Sequence, residues 1–251
     1  MYIVKKKNLF ITGGTGSIGL DLIKKYLDNN YNIFFTVSSK KNKIIKQINK
    51  ISLEKKAVCR FVVIDFSKED INKWKRKINK LLTGISKIDT LINNAGFLQQ
   101  KKFTKINNQD WQVSLDINLK SVFFVTQFLS KFLKQGSSVI NISSVGGQIG
   151  GHLAPHYAAS KAGVISLTRS FSKILSKSHV RVNCVSPGVI ETKMVTAMIK
   201  KFGKKKILEN HLIKRLGNTK DVVEICYFLS CDKSQFITGQ TYNVNGGSYL
   251  G

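Results

Sequence analysis

Apolar residues in this chain gather into short continuous runs rather than strict alternations. Runs at 9–12, 32–37, 57–64, 90–93, 139–142, 180–185 and 240–244 have strand length and are rich in Ile, Val, Leu and Phe. Between most of them the apolar positions recur every three or four residues, the spacing of an amphipathic helix. The clearest helical stretches are 20–27, 110–133, 157–175 and 219–229. Strands that are apolar on both sides and separated by helices predict right-handed βαβ units and a parallel sheet covered on both faces. No internal repeat or compositional break divides 1–251, so one α/β domain is expected. The two prolines, Pro155 and Pro187, fall at predicted turns. The stretch 192–216 is helical but irregular, with Gly203 and a Lys204-Lys205-Lys206 run, and is expected to cover a substrate.

Composition narrows the class without naming a function. Hydrophobic residues make up 42% of the 251, as in a globular protein, and no run approaches the length of a membrane span. The first residues lack the apolar core of an export signal. The four cysteines, Cys59, Cys184, Cys226 and Cys231, have no CxxC or His-containing ligand spacing. Reduced thiols in a cytoplasmic protein, with no metal, are therefore expected. The 41 Lys and Arg against 14 Asp and Glu give a formal net charge of +27. The lysines are scattered over every helix, in a chain also rich in Asn and Ile, which reads as compositional bias on solvated faces. An acidic partner is compatible with that charge. A nucleic-acid function lacks an arginine-rich arm, a zinc motif or an aromatic strand motif.

Two constellations carry chemistry. Tyr157 and Lys161 are four apart in a helical stretch and so share a face. A neighbouring ammonium favours the phenolate and pulls a tyrosine's pKa toward the working range. The run Ile140-Asn141-Ile142-Ser143-Ser144 reads as a buried strand ending in hydroxyls that could hold a carbonyl oxygen. Acid, pKa tuner and polar anchor together suggest carbonyl/alcohol chemistry. Near the N-terminus, the strand at 9–12 runs into Gly13-Gly14-Thr15-Gly16-Ser17-Ile18-Gly19 and then a helix. Glycines let backbone approach a pyrophosphate, and the helix N-terminus offers it free N–H groups.

In motif order and spacing the chain resembles the short-chain dehydrogenase/reductases along essentially its whole length. It carries Asn93-Asn94-Ala95-Gly96, Asn118, Ser144, Tyr157-x-x-x-Lys161, Pro187-Gly188 with Thr192, and 238–247 ending Asn245-Gly246-Gly247. The segments around Tyr157, Pro187 and 238–247 look most like β-ketoacyl-acyl-carrier-protein reductases. The glycine turn itself matches the TGxxGxxG of extended relatives, but no second substrate domain follows, so the compact type is expected. The resemblance implies a Rossmann-type doubly wound parallel sheet in a single dinucleotide-binding and catalytic domain.

It also implies roles. Tyr157 would donate the proton in carbonyl reduction. Lys161 would lower its pKa and hold the nicotinamide ribose. Ser144, with Ser143 as the nearby alternative, would bind the substrate carbonyl. Asn118 would anchor a water that links Lys161 to solvent, or serve as a helix-kinking amide. Gly13, Thr15, Gly16, Ser17, Ile18 and Gly19 would wrap the pyrophosphate. Asp65 and Phe66 would bracket the adenine, and Asn94, Ala95 and Gly96 would pass its ribose. Pro187, Gly188, Ile190 and Thr192 would border the nicotinamide. The second strand ends in Ser38-Ser39-Lys40-Lys41 with no carboxylate, which favours a 2′-phosphate and hence NADPH over NADH.

The expected reaction is NADPH-dependent reduction of a ketone, foremost a 3-oxoacyl thioester on acyl carrier protein, with a small ketone, sugar or polyol as the alternative. Lys131, Lys134, Lys173 and Lys177 could attract an acidic carrier. A retired, non-enzymatic scaffold would have lost one of Ser144, Tyr157 or Lys161, and all three are present. The resemblance further implies a homotetramer, with Phe123, Phe124, Phe128, Val164, Leu167 and Phe171 on the two helices that would meet their symmetry mates.

Overall fold

Seven strands form one all-parallel sheet in the computed structural model, which describes residues 6–251. They are β1 (Lys7–Ile11), β2 (Tyr31–Val37), β3 (Cys59–Val63), β4 (Thr90–Asn93), β5 (Ser138–Ile142), β6 (Arg181–Pro187) and β7 (Thr241–Val244). Each coincides with a predicted apolar run to within a few residues. Their spatial order is β3-β2-β1-β4-β5-β6-β7. The order reverses between β1 and β4, so a crevice opens beyond the carboxyl ends of the strands at that point. The doubly wound sheet expected from the sequence is the fold observed.

Side chains alternate across the strands and each face receives its own helices. On one face, Phe10, Phe34, Leu91, Val139 and Val182 pack with α3 (Ile71–Leu81), α5 (Ser121–Leu129) and α7 (Pro155–Leu175). On the other, Leu9, Ile11, Ile33, Phe35, Ile92 and Ile140 pack with α1 (Ser17–Asp28), α2 (Asn42–Glu54) and α10 (Thr219–Ser230). Both sides of the sheet are therefore removed from water, which is why the strands read as unbroken apolar runs.

The long helix predicted over 110–133 differs from that expectation. It is divided into α4 (Asn108–Leu115), a π-helical turn (Asp116–Lys120), α5 and a short 3-10 turn (Ser130–Phe132). A π turn inserts an extra residue into the helical ladder, and here it carries the buried Asn118. The Asn118 amide accepts from the Phe97 N–H (2.8 Å) and donates to the Phe97 carbonyl (3.0 Å) and Ser114 Oγ (3.2 Å). The helix thus bends to clasp the chain leaving β4. After β5, α6 (Gly146–Ile149) forms a single turn before α7. The irregular segment at 192–216 contains α8 (Thr196–Phe202) and α9 (Lys204–Leu208), separated by Gly203 at φ +74°.

Trp74 on α3 is fully buried, its ring edge-on to Phe66 at 4.9 Å between centroids. Trp74→Ala should therefore lower stability by about 3–5 kcal/mol, read as a shift in the chemical denaturation midpoint. A loss below about 1 kcal/mol would show that this corner of the core repacks freely.

Candidate active site

The carboxyl ends of the first six strands, with α1 and α7, deliver the site. β1 leads into the glycine turn, where Gly13 takes φ +69° and its N–H meets the Thr36 hydroxyl at 3.3 Å. A Cβ on Gly19 would lie 2.3 Å from the Gly13 carbonyl, so only glycine lets the turn close onto α1. Gly16 occupies the N-cap of α1 in an extended conformation with no side-chain cap. The first-turn N–H groups of Ser17, Ile18 and Gly19 thus face the crevice with the positive end of the helix dipole. Such a turn fits a pyrophosphate. Thr15 is buried within it.

β4 ends beside this turn, and the Thr12 hydroxyl joins the two. It accepts the backbone N–H of Asn94 (3.0 Å) and of Ala95 (2.9 Å), while the Asn94 amide donates to the carbonyls of Thr12 and Gly13. Asn94 is therefore a structural strut, and Ala95 and Gly96 present backbone to the crevice. Ser38, Ser39 and Lys40 follow β2 and are exposed. Asp65 follows β3, its carboxylate accepting the Ser67 N–H and hydroxyl. Phe66 departs from the picture of a residue flanking an adenine with its ring. That ring is turned into the core against Trp74, so only its backbone stands at the strand end.

The chemistry lies where β5 meets α7. Lys161 is 3% exposed and its ammonium donates to the Ile142 carbonyl at 2.8 Å. Its Nζ stands 5.8 Å from the centroid of the Tyr157 ring. Burial pulls Lys161 down to about 8, with a small opposing pull from Cys184. Tyr157 responds in the other direction from that expected: burial raises its phenol above 10.0, and only the Ser144 hydroxyl lowers it. Loss of solvation is the leading cause, and Lys161 is not among the groups that lower it.

Of the two hydroxyls ending β5, the structure separates the roles. Ser143 is buried and donates to the Lys161 carbonyl at 2.8 Å, tying strand to helix. Ser144 faces Tyr157, its Oγ accepting only the Gly146 N–H at 3.2 Å. Gly147 was not signalled by any motif, yet a Cβ there would come within 2.6 Å of the Lys161 backbone. Its absence lets the Ser144 loop lie on α7 at the lysine's own turn. Gln148, also unforeseen, accepts the Ser186 hydroxyl at 2.8 Å and fastens the same loop to β6. Pro187 and Gly188 close β6, with the Gly188 N–H on the Val244 carbonyl (3.0 Å). A Cβ on Gly188 would lie 2.8 Å from the Asn245 Cα, so the backbones touch. Ile190 is buried and Thr192 half-buried on the far wall.

Comparison with known proteins gives this geometry a family. The profile described as Enoyl-(Acyl carrier protein) reductase matches residues 13–249. A 3-oxoacyl-acyl-carrier-protein reductase of Staphylococcus aureus is 32% identical over 246 residues, 97% of this chain and 98% of its own length. The chain belongs to the short-chain dehydrogenase/reductase family. A reductase of the same name from Thermotoga maritima is 35% identical over 180 residues, covering 71% of this chain and 73% of its own. A Brucella melitensis structure titled short-chain dehydrogenase/reductase SDR: glucose/ribitol dehydrogenase superposes with TM-score 0.88 at 28% identity, covering 98% and 97% of the two chains. A metagenomic blue fluorescent protein in complex with NADPH shares the fold at TM-score 0.90 and 24% identity, over 97% of this chain and 98% of that one. The chain is an NAD(P)-dependent oxidoreductase of this family, and its glycine turn and strand ends fit the nicotinamide cofactor the family uses.

Two measurements test the geometry. Because Lys161 loses its proton at about 8, kcat/KM should fall roughly tenfold per pH unit above that value. Tyr157 titrates higher, so a limb beginning only above 10.0 would remove the lysine from the chemistry. Gly147→Ala should displace the Ser144 loop and lower kcat by about 10- to 100-fold, with nicotinamide binding, followed by fluorescence titration, largely kept.

Proposed function

We propose that this protein reduces 3-oxoacyl thioesters carried on acyl carrier protein, using NADPH. The observation that carries the reading is the convergence of Ser144, Tyr157 and Lys161 beside a pyrophosphate-fitting turn. The near full-length likeness to 3-oxoacyl-acyl-carrier-protein reductases supports the thioester. When bound, the cofactor supplies hydride to the carbonyl carbon. The Ser144 hydroxyl donates to the carbonyl oxygen and fixes it beside the phenol. Tyr157 delivers its proton to that oxygen as negative charge develops there, a transfer that needs no charged tyrosine beforehand. The Lys161 ammonium stabilises the phenolate left behind and holds the ribose hydroxyls. Water-mediated proton resupply past Asn118 would rest on its backbone, because its side-chain amide is engaged by Phe97 and Ser114.

Gly13 and the Ser17–Gly19 backbone would hold the pyrophosphate, and Asp65 the adenine side. Pro187, Gly188, Ile190 and Thr192 would border the nicotinamide. Ser38, Ser39 and Lys40 offer hydroxyls and a cation for a 2′-phosphate, with no carboxylate at the end of β2 to repel it. Lys131, Lys134, Lys173 and Lys177 are exposed, but they sit at the C-terminal ends of α5 and α7, beside the amino ends of β5 and β6 and so at the opposite end of the sheet from the crevice, which removes them as an entrance patch for an acidic carrier. Of the residues expected at symmetry contacts, Val164 and Phe171 are taken up by this chain's own core and Phe124, Phe128 and Leu167 pack against it, so exposed Phe123, with Ile174 on α7, is what suits burial in a homotetramer. The cysteines are free, as in a cytoplasmic protein, and among the described residues no helix is long and apolar enough to cross a membrane. A second reading, reduction of a small ketone, sugar or polyol, is favoured by the likeness to the Brucella protein.

Loss of NADPH absorbance with an acetoacetyl carrier mimic, beside an enoyl thioester, simple ketones and keto-sugars, tests the reading directly. Fast oxidation on the 3-oxo thioester is expected. Turnover of only a ketone or sugar selects the second reading, and turnover of only the enoyl substrate refutes both. Tyr157→Phe should abolish turnover with NADPH still bound, and substantial residual activity would exclude Tyr157 as the donor. Lys40→Glu with Lys41→Glu should weaken NADPH far more than NADH in equilibrium titrations. An unchanged preference would place the phosphate elsewhere.

A further inference from the structure

His156 is the residue immediately before the proposed proton donor, in the first turn of α7, and it is 1% exposed. Neither ring nitrogen has a hydrogen-bond partner. A buried polar group left unpaired is destabilising, so an apolar residue would serve plain packing better. The surroundings are specific. α4 packs against α7, and two charged side chains act on the imidazole: Asp110 from α4 and Lys101 from the β4–α4 connection. They form an ion pair at 2.5 Å. Asp110 also closes the capping box of α4 with Asn107. The Lys101 backbone N–H donates to the Leu153 carbonyl (3.0 Å), joining this connection to the loop that enters α7. On that loop His152 is exposed. On α7 itself the titratable neighbours in sequence are Tyr157 and Lys161, which line the cleft.

We propose that His156 is a pH-sensitive positioning residue that seats Tyr157. As a neutral imidazole it wedges the first turn of α7 against α4 and the β4–α4 connection. Once protonated it must find an anion, and Asp110, on the helix packed against α7, is the carboxylate whose charge acts on the ring. Capturing Asp110 draws it from Lys101 and from the cap of α4, which loosens the Lys101–Leu153 tie and shifts the turn that carries Tyr157. A cation in the first turn also opposes the helix dipole. Burial and Lys101 already hold His156 below 6.5, with Asp110 opposing them, so the neutral wedge is the form present at neutral pH. The consequence is a reversible loss of kcat on mild acidification, with nicotinamide affinity retained.

The proposal rests on Tyr157 as proton donor but not on which carbonyl compound is reduced. The test measures kcat, KM and NADPH affinity against pH for the wild type, His156→Asn and His156→Leu, on whichever carbonyl substrate is turned over. In parallel, the His156 ring proton is titrated by NMR in the wild type. The wild type should lose kcat roughly tenfold per pH unit below the His156 midpoint, with NADPH affinity unchanged. In both variants that limb should vanish while neutral-pH turnover remains. An identical acid limb in His156→Asn or His156→Leu would overturn the proposal. If both variants fail to fold, the NMR midpoint decides: coincidence with the wild-type limb supports the proposal, and a midpoint at or above 6.5 or away from the limb overturns it. Failure of the tyrosine assignment is recognised separately, by a Tyr157→Phe variant that still turns over.

Discussion

Placing the Lys161 ammonium at the carboxyl end of a central strand, with one backbone carbonyl as its hydrogen-bond partner, is the constraint around which the site is built. Burial of a charge is unfavourable unless hydrogen bonds offset it, and the Ile142 carbonyl at 2.8 Å is what this structure provides. That bond joins the end of β5 to the second turn of α7, and the Ser143 hydroxyl repeats the join in the opposite direction. Strand and helix are therefore locked at the height where Ser144 and Tyr157 must meet. The lysine's lowered pKa follows from the same burial. The ammonium must still be charged to stabilise a phenolate, so the same burial ties the chemistry to the pH range below about 8.

Close backbone approach is the second theme. Gly19 on Gly13, Gly147 on Lys161 and Gly188 on Asn245 each bring two chain segments nearer than any side chain permits. The first closes the glycine turn onto α1, the second lays the Ser144 loop on α7, and the third seats the end of β6 against the end of β7. Packing at these points leaves little slack, which is how loops can position groups to the accuracy that proton transfer requires. The π turn at Asn118 belongs to the same economy of space: an irregular helix exists there because its amide is needed at Phe97.

Much of this was legible in the chain itself. All seven strands follow from apolar runs, because a sheet covered on both faces has no polar side to interrupt them. The glycine turn, Ser144, Tyr157 and Lys161 carry local signatures of spacing and context. Other features were not legible, for physical reasons that are not local. Helical periodicity continues smoothly through 110–133, so nothing in it marks the π turn. The ring of Phe66 turns to Trp74 because the neighbouring helix offers a core there. Gln148 and His156 look like ordinary polar residues until their surroundings are known.

What the sequence by itself determined is the alternating order of strands and helices and the identity of the groups able to do carbonyl chemistry, since both depend on neighbours within a few positions. What only the tertiary structure decided is how those groups behave. It set which of the two β5 serines faces the phenol, raised the tyrosine while lowering the lysine, and left one histidine buried beside an ion pair. These outcomes turn on solvation and on contacts between residues far apart in the chain, and so they exist only once the chain has folded.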